Sequence, residues 1–179
     1  MTISAPMAWR GAALALAAVS LVACAGDRDP PLGGDPSLSR SMAVSGAQVD
    51  AATAASMISG YRKNNGLGAV TIDPTLMRLA REQAFAMAKR NQLDHNVGRG
   101  FTDRIRSSGY DAKTAVENIG AGYHTLAEAF SGWRGSPSHR ANMLHRDASQ
   151  MGIAAAYAPG SKYKVFWALI MAAPDDRRR

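Results

Sequence analysis

The chain has 179 residues, 46% of them hydrophobic, a single cysteine and a formal net charge of +7. One thiol excludes a disulfide framework within the chain, so the fold must rest on a packed core. The basic residues are scattered rather than clustered, which suits an anionic envelope surface and speaks against a nucleic-acid partner.

Residues 1–23 read as a signal peptide. Arg10 supplies positive charge, and Gly11 to Val22 is an uncharged apolar run too short to cross a bilayer as a helix. The run ends in Leu21-Val22-Ala23-Cys24, which resembles the bacterial lipobox. That resemblance implies cleavage before Cys24 and lipid on its sulfur, hence a membrane partner; the alternative is an ordinary signal peptide with an incidental cysteine. Ala25 stands where aspartate is associated with inner-membrane retention, so the expectation is outer-membrane anchoring or the periplasm, with an extracellular location as the alternative. Cleavage would leave 156 residues carrying 20 basic and 14 acidic side chains.

Residues 24–46 are rich in Gly, Pro, Ser and Asp and read as a flexible tether. A domain is predicted over 47–173, followed by a solvated basic tail at 174–179. The first predicted helix carries Ala51, Ala54, Ala55, Ile58 and Tyr61 on one face and stops at Asn64-Asn65-Gly66. A second helix, opened by Asp73-Pro74 and ending near Asn91, has the stripe Leu76, Leu79, Ala80, Gln83, Ala84 and Met87. A short helix is expected around Phe101 to Ser107, then strand-like residues from Ala115 into the glycines at 120 and 122. Thr125 opens a third long helix with the stripe Leu126, Ala129, Phe130 and Trp133. Met151–Tyr157 and Tyr163–Met171 read as a hairpin. Helices first and strands late predict an α+β domain with a small antiparallel sheet.

The candidates for chemistry are few. Ser136 is placed to cap a short helix with Pro137 at its first position, which puts His139 in the first turn. The positive end of the helix dipole there disfavours imidazolium and leaves a neutral ring. Glu117 sits in an apolar run, where a carboxylate must be paired or functional. No HExxH, GxSxG, CxxC, P-loop or dinucleotide fingerprint occurs, so spacing alone names no enzyme class.

The ordered blocks His95-Asn96, Phe101-Thr102-Asp103-Arg104-Ile105, Gly109-Tyr110 and Glu117-Asn118-Ile119-Gly120-Ala121-Gly122 carry a family resemblance. It extends through Trp133, Ser136-Pro137-Ser138-His139-Arg140-Ala141-Asn142-Met143-Leu144 and Met151-Gly152-Ile153-Ala154. Together they resemble a bacterial CAP domain, of the sperm-coating and pathogenesis-related-1-like superfamily, over about Ala51 to Met171. The resemblance implies an α-β-α sandwich with a central antiparallel sheet and a cleft lined by His95, Glu117 and His139. Two imidazoles and a carboxylate could hold a divalent cation such as zinc, or equally a water or polar ligand group. Many members carry a second glutamate where this chain has Ser136. Glu128 is the tempting substitute, yet Thr125-x-x-Glu128 spells a capping box, and that reading is preferred. His124 and His145 are expected to be peripheral. Asn118 is expected to bond backbone groups beside the cleft, and Arg140 to pair with a carboxylate or brace the helix pair.

Three functions follow as expectations. The first is a non-enzymatic binding module for a lipid, a wall fragment or a cation. The second is a hydrolase using Glu117 as base with His95 and His139. The third is a structural envelope protein with a vestigial cleft. A fold by itself does not choose among them.

Overall fold

The computed structural model describes residues 1–2 and 35–175. Most of the signal peptide, Cys24, the tether up to residue 34 and the terminal arginines lie outside the described residues.

The ordered fold begins earlier than expected. Asp35 accepts from the Ser37 N–H and caps α1 (Pro36–Ser39). Met42 is 3% exposed, and its N–H donates to the His124 carbonyl at 2.7 Å. Residues 35–46 are therefore not tether. Their polar composition hides Leu38 and Met42, which pack on the same core cluster.

α2 (Ala51–Lys63) follows, capped by Asp50. After it come β1 (Thr71–Ile72), α3 (Pro74–Arg90), α4 (Phe101–Arg106) and β2 (Ala112–Ala121). The chain then forms α5 (Leu126–Gly135), α6 (Pro137–Met143), β3 (Gln150–Tyr157) and β4 (Val165–Pro174). The buried residues of α3 are the six of its predicted stripe, and Asn91 ends it in a left-handed conformation.

The sheet order is β1-β3-β4-β2. β4 pairs antiparallel with both β3 and β2, as expected for the hairpin. The expected antiparallel sheet gains one short parallel pair, β1 against the start of β3. The Thr71 N–H reaches the Ser149 carbonyl and the Asp73 N–H the Met151 carbonyl, so a stretch read as a connection becomes a two-residue strand.

β4 is buried on both faces, and its side chains alternate between two cores. Val165, Trp167, Leu169 and Met171 pack with the α2 and α5 side; Phe166, Ala168, Ile170 and Ala172 pack with α3. Two helical layers thus enclose one sheet. The α3 layer lies against the backbone of β3 at Gly152, where an added Cβ would overlap the Leu76 carbonyl and the Met77 nitrogen. Gly152→Ala is expected to cost about 1–3 kcal/mol of unfolding free energy, read by urea denaturation.

Candidate functional site

β2 is an outer strand of the sheet, and its successive side chains enter opposite layers. Ala115, Ile119 and Ala121 face the α3 side and Val116 faces the other. By that alternation Glu117 turns toward α4 and Asn118 toward α6.

The Glu117 side chain is 1% exposed. Burying a carboxylate demands partners, and α4 supplies one that the sequence reading missed. Arg104 Nη2 donates to Glu117 Oε1 at 2.9 Å and Oε2 at 2.8 Å. His95 Nδ1 lies 2.8 Å from Oε1 and, against a carboxylate, is the donor. The same Arg104 Nη2 reaches the His95 carbonyl at 3.1 Å, which ties the His95 loop to the pair. The Arg104 guanidinium also lies over the Phe101 ring, 5.3 Å from its centroid. The available signal was positional: Phe101, Arg104 and Ile105 share one face of α4, so an arginine stands in an apolar stripe.

His139 comes from the other layer. Ser136 is the N-cap residue of α6, as expected, but its hydroxyl makes no capping bond and sits 3.3 Å from the Ser138 hydroxyl. The His139 carbonyl accepts from Asn118 Nδ2 at 3.0 Å. Asn118 Oδ1 in turn accepts from Asn142 Nδ2 at 2.9 Å, and that amide also reaches the Glu117 carbonyl at 3.1 Å. Asn118 therefore bonds backbone beside the cleft, as expected. Asn142 was not anticipated in that role. It joins Trp133, whose Nε1 donates to the Ile119 carbonyl at 3.2 Å, in covering the outer edge of β2.

Burial, and secondly the nearby His95, hold the His139 imidazole below its ordinary value of 6.5. The neutral ring was expected from the helix terminus; desolvation and the neighbouring His95 act in the same direction. The folded ring binds a proton less readily than the unfolded one. Its contribution to stability is therefore present above pH 6.5 and is lost as pH falls through the folded value. An NMR titration is expected to place the His139 midpoint below 6.5 and to move it upward in His95→Gln. Melting temperature below that pH is expected to fall less steeply in His139→Gln.

The other candidates lie to the side. Glu128 forms the capping box, accepting from the Thr125 and His124 N–H groups while its own N–H donates to the Thr125 hydroxyl. His124 is exposed, and His145 Nε2 reaches the Thr114 hydroxyl only at 3.5 Å. Arg140 is exposed, and among the described residues it forms no ion pair, so the expected pairing with a carboxylate is not met.

The metal-ligand expectation for His95, Glu117 and His139 does not fit this geometry. Among the described residues no three His, Cys, Asp or Glu side chains gather to hold a metal ion. A cation would have to displace a guanidinium from a buried carboxylate, whose two oxygens already accept three bonds.

A sheet enclosed by two helical layers, with a buried glutamate on its outer strand bonded to His95 and with His139 on a helix of the other layer, is the arrangement of a CAP-type domain. The pattern of the cysteine-rich secretory protein family, CAP, matches residues 55–171, and the chain belongs to this family. A stretch of 95 residues, 51% of the chain, is 36% identical to the uncharacterized protein YkwD of Bacillus subtilis and spans 37% of that relative's length. An extracellular protein of Bacillus anthracis containing an SCP domain superposes with a TM-score of 0.60 at 20% identity, over 68% of this chain and 39% of that one. An outer surface protein of Borrelia burgdorferi gives 0.63 at 20% identity, over 72% of this chain and 98% of its own.

Proposed function

We propose that this CAP protein is an exported binding module whose His95–His139 cleft holds a polar envelope ligand, a wall fragment or a lipid headgroup, without turning it over. The observation that carries the reading is the state of Glu117. A general base needs a lone pair its proton can reach, and here the carboxylate is 1% exposed and three of its roughly four acceptor positions are taken by Arg104 and His95. What remains to meet a ligand is the half-exposed His95 ring and the partly exposed His139. With Nδ1 bound to the carboxylate, His95 offers Nε2 as its contact atom. The excess of basic side chains favours an anionic ligand or surface.

Export rests on the apolar leader and on the kinds of protein the fold resembles, one extracellular and one an outer surface protein. Anchoring would run through lipid on Cys24, and Cys24→Ser is then expected to move the protein from the membrane fraction to the soluble one.

The test of the cleft is NMR of the His95 and His139 rings during titration with soluble muropeptides and, separately, short-chain phosphatidylglycerol. Shifts with one of them, lost in His139→Ala, are the expected result. Release of product from peptidoglycan or peptides, abolished by Glu117→Gln, would replace this reading with the hydrolase. Silence toward both ligands would leave the cleft vestigial and overturn it.

A further inference from the structure

The two edges of the sheet are treated differently. On β2 the carbonyls of Glu117 and Ile119 are taken by Asn142 and Trp133. On the other side, β1 pairs with Gln150 and Met151 of β3 and then stops. Just beyond, the Ile153 N–H donates to Met77 Sδ at 3.3 Å, a weak acceptor on a flexible side chain. That bond shows which way the edge faces, away from β4. Backbone groups two residues apart along a strand point the same way, so Ala155 and Tyr157 present theirs to the same side.

This edge is the floor of a groove of about 470 Å³, between residues 44–49 and the α3 face of Met77, Arg81 and Phe85. Those three are spaced by four and lie off the core stripe of α3. A second depression of about 450 Å³ continues past Phe85 to Lys89 and the turn at 157–161. Phe85 is 57% exposed, high for so large an apolar side chain. Arg81 and Lys89 are exposed and, among the described residues, form no ion pair. Neither depression is lined by Asp or Glu.

We propose that this groove docks an extended peptide segment of a partner protein, with acidic residues alternating with apolar ones, which adds to β3 as a further strand. Backbone donors and acceptors in a row select a peptide backbone rather than a lipid or a sugar. The apolar walls take alternate side chains of the added strand, and Arg81 and Lys89 meet the acidic ones.

The experiment is selection from a random peptide display library on the immobilised full chain. Enriched sequences are expected to alternate apolar and acidic residues. Their affinity is expected to fall about tenfold in Arg81→Glu, a change confined to an exposed helix face. Ala155→Pro is expected to abolish binding, because it removes an outward N–H while leaving the β4 side paired; its melting curve verifies that it folds. Enrichment without acidic residues, binding unchanged in Arg81→Glu, no enrichment, or capture of anionic vesicles in place of peptides would each overturn the proposal.

Discussion

Replacing Arg62 by methionine is expected to lower the unfolding free energy by about 3–5 kcal/mol and the melting temperature by on the order of 10 °C. Arg62 is 0% exposed and has no carboxylate partner within the described residues. Its charge is balanced by four carbonyls instead. Nε donates to Gly68 at 2.8 Å, Nη1 to Met143 and His145 at 2.9 Å, and Nη2 to Ala148 at 2.7 Å. Met143 is the last residue of α6, where helix carbonyls concentrate partial negative charge. Burial lowers the pKa of Arg62, yet a guanidinium stays charged in a protein. The methionine variant keeps much of the volume but strands these carbonyls, each costing about 1–3 kcal/mol if left dry. Lysine, with three donors on a point charge, should recover only part of the loss. Urea denaturation reads the series, and a loss under about 1 kcal/mol would mean that water replaces the guanidinium. The effect reaches the cleft, since Arg62 fixes the C-terminal end of the helix that carries His139.

The second large effect belongs to Arg104. Arg104→Met is expected to cost about 3–5 kcal/mol, because it leaves the Glu117 charge buried with the His95 ring as its remaining side-chain partner. Removing both members should cost less than the two single changes summed. An Arg104→Met, Glu117→Leu double-mutant cycle is thus expected to show a coupling of about 2 kcal/mol or more. Additive losses would show that the pair contributes no net interaction. A His95 signal that changes in Arg104→Met, followed by NMR, would separate the effect on the cleft from the effect on the fold.

These two arginines mark where reading the sequence reached its limit. Stripes at helical spacing identified all six buried residues of α3 and, on α5, Leu126, Ala129 and Trp133, with Phe130 only partly buried against the same core. The capping box at Thr125 and Glu128 was legible because both halves lie within one turn. Arg62 and Arg104 were not, because each charge is balanced by groups outside its own helix. Arg62 meets carbonyls more than 80 residues away at Met143, His145 and Ala148. Glu117 was recognisable as a carboxylate that needed a partner, but nothing local said that the partner was Arg104 on another element. The same limit explains the metal expectation. Residue types at three positions suggested a ligand set, and a buried guanidinium on one of them changes what that set can do. Met42 and Leu38 escaped for a smaller reason: two apolar residues in a polar stretch do not make a periodicity.

Glu117 is held by Arg104 and His95, and the proposed function requires that this pairing persist in place of a metal ion on the carboxylate. The most direct measurement is a crystal structure of the protein grown in zinc, with anomalous data at the zinc edge. The expected result is Arg104 Nη2 bonded to both Glu117 oxygens and no zinc on the carboxylate. Zinc at about 2.0–2.2 Å from a Glu117 oxygen, with the Arg104 side chain displaced, would contradict it.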